Sequence, residues 1–151
     1  MPLESRRFAK AALLFLFLAF VAGAAFTIVR GAGIAVPAIF AVEHGHAGFI
    51  GFLVNIVIGI ALWMLPLNRE RYPLTQGRYP QWAPALCFWL LNGGLAVRIV
   101  TEPAYVLAMH TALFAIVLDL AALAQVAAIV IFIAIAWQRV RGPSHPAPGV
   151  R

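Results

Sequence analysis

Four long apolar runs, separated by short polar connections, leave this chain little choice of environment. Residues 11–29, 46–66, 82–100 and 104–137 are each long enough to cross the ~30 Å hydrocarbon core of a bilayer as an α-helix. Hydrophobic residues make up 64% of the 151 positions. An ordinary soluble domain has roughly 45–50%, so membrane insertion is the first inference. The runs are continuously apolar rather than alternating, which argues against a β-barrel. The expected fold class is therefore all-α: an integral membrane four-helix bundle, one domain over residues 1–138, with the lipid bilayer as its first partner. Residues 139–151, rich in proline, read as a disordered tail.

The connections carry the punctuation. Gly31, Gly33 and Pro37 lie in the first. Trp63 and Pro66 close the second run as interface anchor and helix stop, and a loop with Arg69, Arg71 and Arg78 follows. Asn92-Gly93-Gly94 is a weak point in the third run unless another helix approaches closely there. Thr101-Glu102-Pro103 reads as the start of the fourth helix, with Thr101 as N-cap and Pro103 in the first turn. The fourth run is long for one span, so its first turns are expected in the interface.

Charge sets orientation. The chain has 11 Lys and Arg against 5 Asp and Glu. Nine of the basic residues (Arg6, Arg7, Lys10, Arg69, Arg71, Arg78, Arg139, Arg141, Arg151) fall on one side of a four-span topology, against Arg30 and Arg98. The positive-inside rule then places both termini in the cytoplasm and accounts for the positive charge without nucleic acid; a bacterial inner membrane is the expected location. Ala22-Gly23-Ala24 after the first apolar stretch also has the look of a signal-peptide cleavage site, which leaves processing of the N-terminal run open. Cys87, the single cysteine, has no intramolecular disulfide partner and reads as a small packing residue.

Ionisable groups at membrane depth mark functional positions. Glu43-His44-Gly45-His46 opens the second run. Residues two apart on a helix point ~200° apart, so His44 and His46 do not chelate one metal together and each serves a different side. Gly45, Gly48 and Gly51 thin the helix beside them. A neutral imidazole is a standard axial ligand for haem iron. His110 is a weaker ligand candidate, placed six residues into the fourth helix. Asp119 needs a partner or a proton, and Arg98 is the nearest candidate if helices three and four are neighbours. Asn55, Asn92 and Gln125 are further polar residues at depth, suited to interhelical hydrogen bonds.

The segment His44-Gly45-His46 … Gly51-Phe52 … Gly59 … Trp63-Met64-Leu65-Pro66 resembles a haem-binding helix of subunit I of the haem-copper oxidase and nitric oxide reductase superfamily, and of small four-helix bacterial membrane proteins related to it. Leu90-Leu91-Asn92 and Trp137-Gln138-Arg139-Val140 fit the same pattern. That subunit has three arcs of four helices, so the resemblance implies that this chain is one arc and that a homotrimer, with the glycine-lined second helix inside, rebuilds the ring. It further implies that His44 and His46 of neighbouring protomers hold haem b as axial ligands to the iron. Arg98 lies where propionates need a cation. No histidine trio for copper and no Cys-x-x-Cys-His motif is present, so neither copper nor covalent haem is expected. The implied activity is electron transfer, with a respiratory redox partner, or gas-ligand sensing, which leaves its status as an oxidoreductase open. Two other classes stand beside it: a non-haem structural or assembly protein of a respiratory complex, and a small transporter or channel lined by Asp119 and Arg98.

Overall fold

A computed structural model describes residues 1–69, 72–108 and 110–140. Four of its helices are long and apolar enough to cross a membrane: α1 (Leu3–Gly31), α2 (Ala38–Met64), α3 (Trp82–Leu107) and α4 (Ala112–Trp137). No strand occurs among the described residues.

Each helix boundary has a local cause. α1 begins eight residues before its apolar run, because Arg6, Arg7 and Lys10 are good helix formers and continue the helix outward. It ends at Gly31, and Gly33 takes the positive φ of 78° that turns the chain. Pro37 then supplies the pre-set φ of a helix start. α2 begins at Ala38 rather than at 46, so His44 and His46 stand about two turns inside it and not at its mouth.

α2 is not uniform. Residues Ala47–Val54 form a π-helix between two α-helical segments. The Asn55 side-chain amide donates to the carbonyls of Ile50 (3.2 Å) and Gly51 (3.0 Å), satisfying groups at the point where α-helical pairing resumes. Such departures from α-helical pairing often accompany functional sites.

The break between the third and fourth helices lies elsewhere than expected. α3 runs through Thr101-Glu102-Pro103 to Leu107, so Thr101 is not an N-cap. Pro103 stands inside α3, one turn before its end, where it cannot donate to the Ile99 carbonyl. Thr111 takes the capping role instead, its hydroxyl accepting from the Phe114 amide at 3.5 Å. The long apolar stretch 104–137 is thereby divided between two helices of 26 residues each.

α3 packs most extensively on α4, and α1 on α2; the two hairpins meet through α2 and α3. The core joins Phe8, Ile58, Leu62, Tyr79, Cys87, Leu91 and Ala128. Glycines set the close approaches. A Cβ on Gly51 would lie 2.5 Å from Phe15 Cγ, and one on Gly94 would lie 2.8 Å from the Ala121 carbonyl oxygen. Gly59 likewise faces Phe8 and the Ser5 backbone. Gly51 and Gly59, two residues of the glycine-lined face expected to meet another copy, thus receive the chain's own α1. The outside of the bundle is as apolar as its inside, with Phe17, Phe20, Ile28, Ile116 and Trp137 all exposed, as lipid allows and water does not.

Candidate functional site

His44 and His46 leave α2 on different sides. His44 turns to α1, where its ring meets Phe26 edge-on (centroids 6.0 Å apart). Gly23 permits this approach, since a Cβ there would lie 3.2 Å from His44 Cε1. The imidazole borders an apolar groove of about 630 Å³ between α1 and α2, walled by Leu16, Phe20, Gly23, Gly48 and Phe52. His44 Nδ1 is buried and has no hydrogen-bond partner.

His46 turns to α3 and meets carboxylates. Its Nδ1 lies 3.5 Å from Glu43 Oε2, one helical turn back. Glu102 completes the group, with one ligand-type atom from each of Glu43, His46 and Glu102 all within 4.8 Å of one another. Glu43 is only 6% exposed, and neither of its carboxylate oxygens has a hydrogen-bond donor. Neither glutamate stands out in a search for histidine ligands. The available signal is spacing: Glu43 precedes His46 by three residues, Glu102 follows Arg98 by four, and the chain has only 5 acidic residues.

The structure does not bring Asp119 and Arg98 together. Arg98 Nε donates to Glu102 Oε2 at 2.7 Å. The reason is the continuity of α3, which sets residue 102 one turn beyond residue 98 on the same face. Asp119 is exposed on the outer surface of α4 and has no partner among the described residues. His110 is not on the fourth helix: it lies in the exposed connection before α4, its ring against Tyr105 at 5.2 Å.

Deeper in the bundle Asn55 and Asn92 exchange two amide hydrogen bonds of 3.0 Å, fastening α2 to α3. Asn92 also donates to the Phe88 carbonyl. Gln125 is buried at 8% exposure, with Nε2 unpaired, beside a second apolar groove that Arg98 also borders. Cys87 is buried, its thiol donating to the Ala128 carbonyl at 3.2 Å.

At the opposite end a polar knot ties the hairpins together. Arg139, 1% exposed, donates to the carbonyls of Leu62, Leu65 and Pro66 at the end of α2 and lies over the Tyr79 ring. Gln138 accepts from Tyr72 and, through its carbonyl, from Asn68. Burial holds the Tyr79 hydroxyl above its ordinary pKa and the Arg139 guanidinium below its own. The expected disordered tail therefore begins with an anchored residue; its remainder from 141 lies outside the described residues.

No protein-family model matches the chain, and neither curated proteins nor solved structures gave a match.

Proposed function

We propose that this chain is an integral membrane b-type haem protein with His44 as an axial ligand, acting in electron transfer or gas-ligand sensing. The observation that carries the reading is the His44 imidazole in the wall of an apolar groove of about 630 Å³. That volume falls within the ≈300–1,000 Å³ of cofactor sites. The resemblance of His44-Gly45-His46 and the residues after it to an oxidase haem helix points the same way. Haem would supply a redox-active iron. The chain's own part is the imidazole, the walls of α1 and α2, and the exclusion of water. His46 is left out of the ligand assignment, because it leaves α2 toward Glu43 and Glu102 and does not line that groove.

The homotrimer and a respiratory redox partner belong to this reading on the resemblance alone. The cytoplasmic placement of both termini rests on the charge asymmetry, and a bacterial inner membrane on the resemblance. The test is a visible absorption spectrum of the full chain, purified after expression with ample haem. Paired α and β bands lost in His44→Ala and kept in His110→Ala are expected. A colourless wild type sinks the proposal and leaves a structural or assembly role.

A further inference from the structure

We propose that Glu43, His46 and Glu102 form a site for a divalent transition-metal ion of the Zn²⁺ class, bridging α2 and α3 at the histidine end of the bundle. The site does not rest on the haem reading, which uses the other histidine and the other side of α2.

Three observations carry it. The first is the ligand set, two carboxylates and one imidazole drawn from two helices with their ligand atoms within 4.8 Å of one another. The second is Glu43 itself. Its carboxylate is 6% exposed, aimed at His46 and Glu102, and accepts no hydrogen bond. A buried carboxyl in that state takes either a proton or a positive charge, and the two carboxyls and the imidazole gathered here offer a cation three ligands at once. The nearby guanidinium of Arg98 makes its hydrogen bond to Glu102 Oε2 at 2.7 Å and none to Glu43. The third is spacing. Bonds of about 2.1 Å to a tetrahedral ion put neighbouring ligand atoms about 3.4 Å apart. The His46 Nδ1 to Glu43 Oε2 distance is 3.5 Å.

The imidazole selects the metal class. Mg²⁺ and Ca²⁺ take oxygen ligands, whereas a mixed imidazole and carboxylate set suits Zn²⁺ and its first-row neighbours. Three protein ligands leave the fourth position of a tetrahedral ion to water. The His46 and Glu102 side chains, each 20% exposed, lie on the side from which water and metal can enter. An ion there would pin α2 to α3 immediately before the π-helical segment that starts at Ala47.

The full chain in detergent, stripped with chelator, is titrated calorimetrically with ZnCl₂ alone and in parallel with MgCl₂. One Zn²⁺ per chain and no comparable Mg²⁺ binding are expected. Glu43→Gln, Glu102→Gln and His46→Ala should each weaken Zn²⁺ binding by on the order of 100-fold or more, since even outer-shell changes cost 10–100-fold. His110→Ala should leave it unchanged. His44→Ala should lose haem and keep Zn²⁺, and His46→Ala should do the reverse, so the two sites stand or fall separately. Zinc-edge X-ray absorption on the wild type, which does not depend on variants folding, should show one imidazole among oxygen ligands. Two or more imidazoles, no Zn²⁺ binding by the wild type, or binding that survives both Glu43→Gln and His46→Ala would overturn the site. So would an infrared band of a protonated carboxyl that persists at saturating Zn²⁺ and vanishes in Glu43→Gln, for a proton would then fill the place given to the metal.

Discussion

Arg139 does for the end of α2 what no residue of α2 can do. The last carbonyls of a helix have no intrahelical donors, and a planar guanidinium reaches Leu62 in the last turn together with Leu65 and Pro66 just beyond it. Removing it leaves buried acceptors unpaired. Arg139→Ala should therefore cost about 2–4 kcal/mol of stability in detergent unfolding. Lysine should not restore the loss, because a point charge cannot serve a fork of acceptors. Arg7→Ala, at an exposed position, should stay within about 0.5 kcal/mol. Equal losses in the two variants would remove the capping argument. Asp119 is the opposite case, a carboxylate about 10 Å along α4 from Ala112 at 1.5 Å per residue, exposed and unpartnered. An acid facing lipid costs about 2.5–3.5 kcal/mol at the centre of a span and less toward its ends, and Asp119 stands about a third of the way along α4. Asp119→Leu is expected to hold or raise the stability of the protomer. A clear loss would mean that another chain covers this residue in the native assembly.

At the scale of the helix, two neighbouring glycines separate packing from propensity. Gly94 abuts the Ala121 carbonyl, where a Cβ would stand at 2.8 Å, while a Cβ on Gly93 meets nothing within 4 Å. Gly94→Ala should destabilise by about 1–3 kcal/mol through forced separation of α3 and α4. Gly93→Ala should be neutral or stabilise by up to about 1 kcal/mol, since alanine is the better helix former. Thermal unfolding of both variants reads the contrast, and like-signed changes of similar size would count against the close approach. The four spans are legible in the sequence because lipid demands unbroken apolar length. Their ends are not, because caps compete. Thr101 and Thr111 both precede helix-compatible stretches, and only tertiary packing decides that α3 tolerates Pro103 and stops at Leu107. That one boundary also moves the site. It joins Glu102 to Arg98, sends His110 into a connection and strips Asp119 of its expected partner. The divergence of His44 and His46 was readable from helical geometry alone, whereas the pairing of His46 with Glu43 and Glu102 needed the register of α2 against α3.

The bundle as a whole has two unlike ends. Arg6, Arg7, Lys10, Arg69, Arg78 and Arg139 gather where α1 and α3 begin and α2 and α4 end. The other end holds Glu43, Glu102, the two helical histidines, and Arg30 and Arg98 as its only Lys or Arg among the described residues. Arg98 is occupied by Glu102, which weakens its vote further. Juxtamembrane Lys and Arg resist translocation, and short loops are where the bias acts most strongly. Both termini are therefore expected in the cytoplasm, and the groove beside His44 and the acidic cluster near the outer face. A reporter that works only in the cytoplasm should be active when fused after Arg151, and a periplasmic reporter should be active only when inserted at Gly33. Replacing Arg6, Arg7 and Lys10 together by Gln should lower the fraction of correctly oriented chains, while replacing Arg30 should raise it. A periplasmic C-terminus would reverse the assignment and put His44, His46 and both glutamates on the cytoplasmic side, where a metal would have to reach them from the cell's own pool.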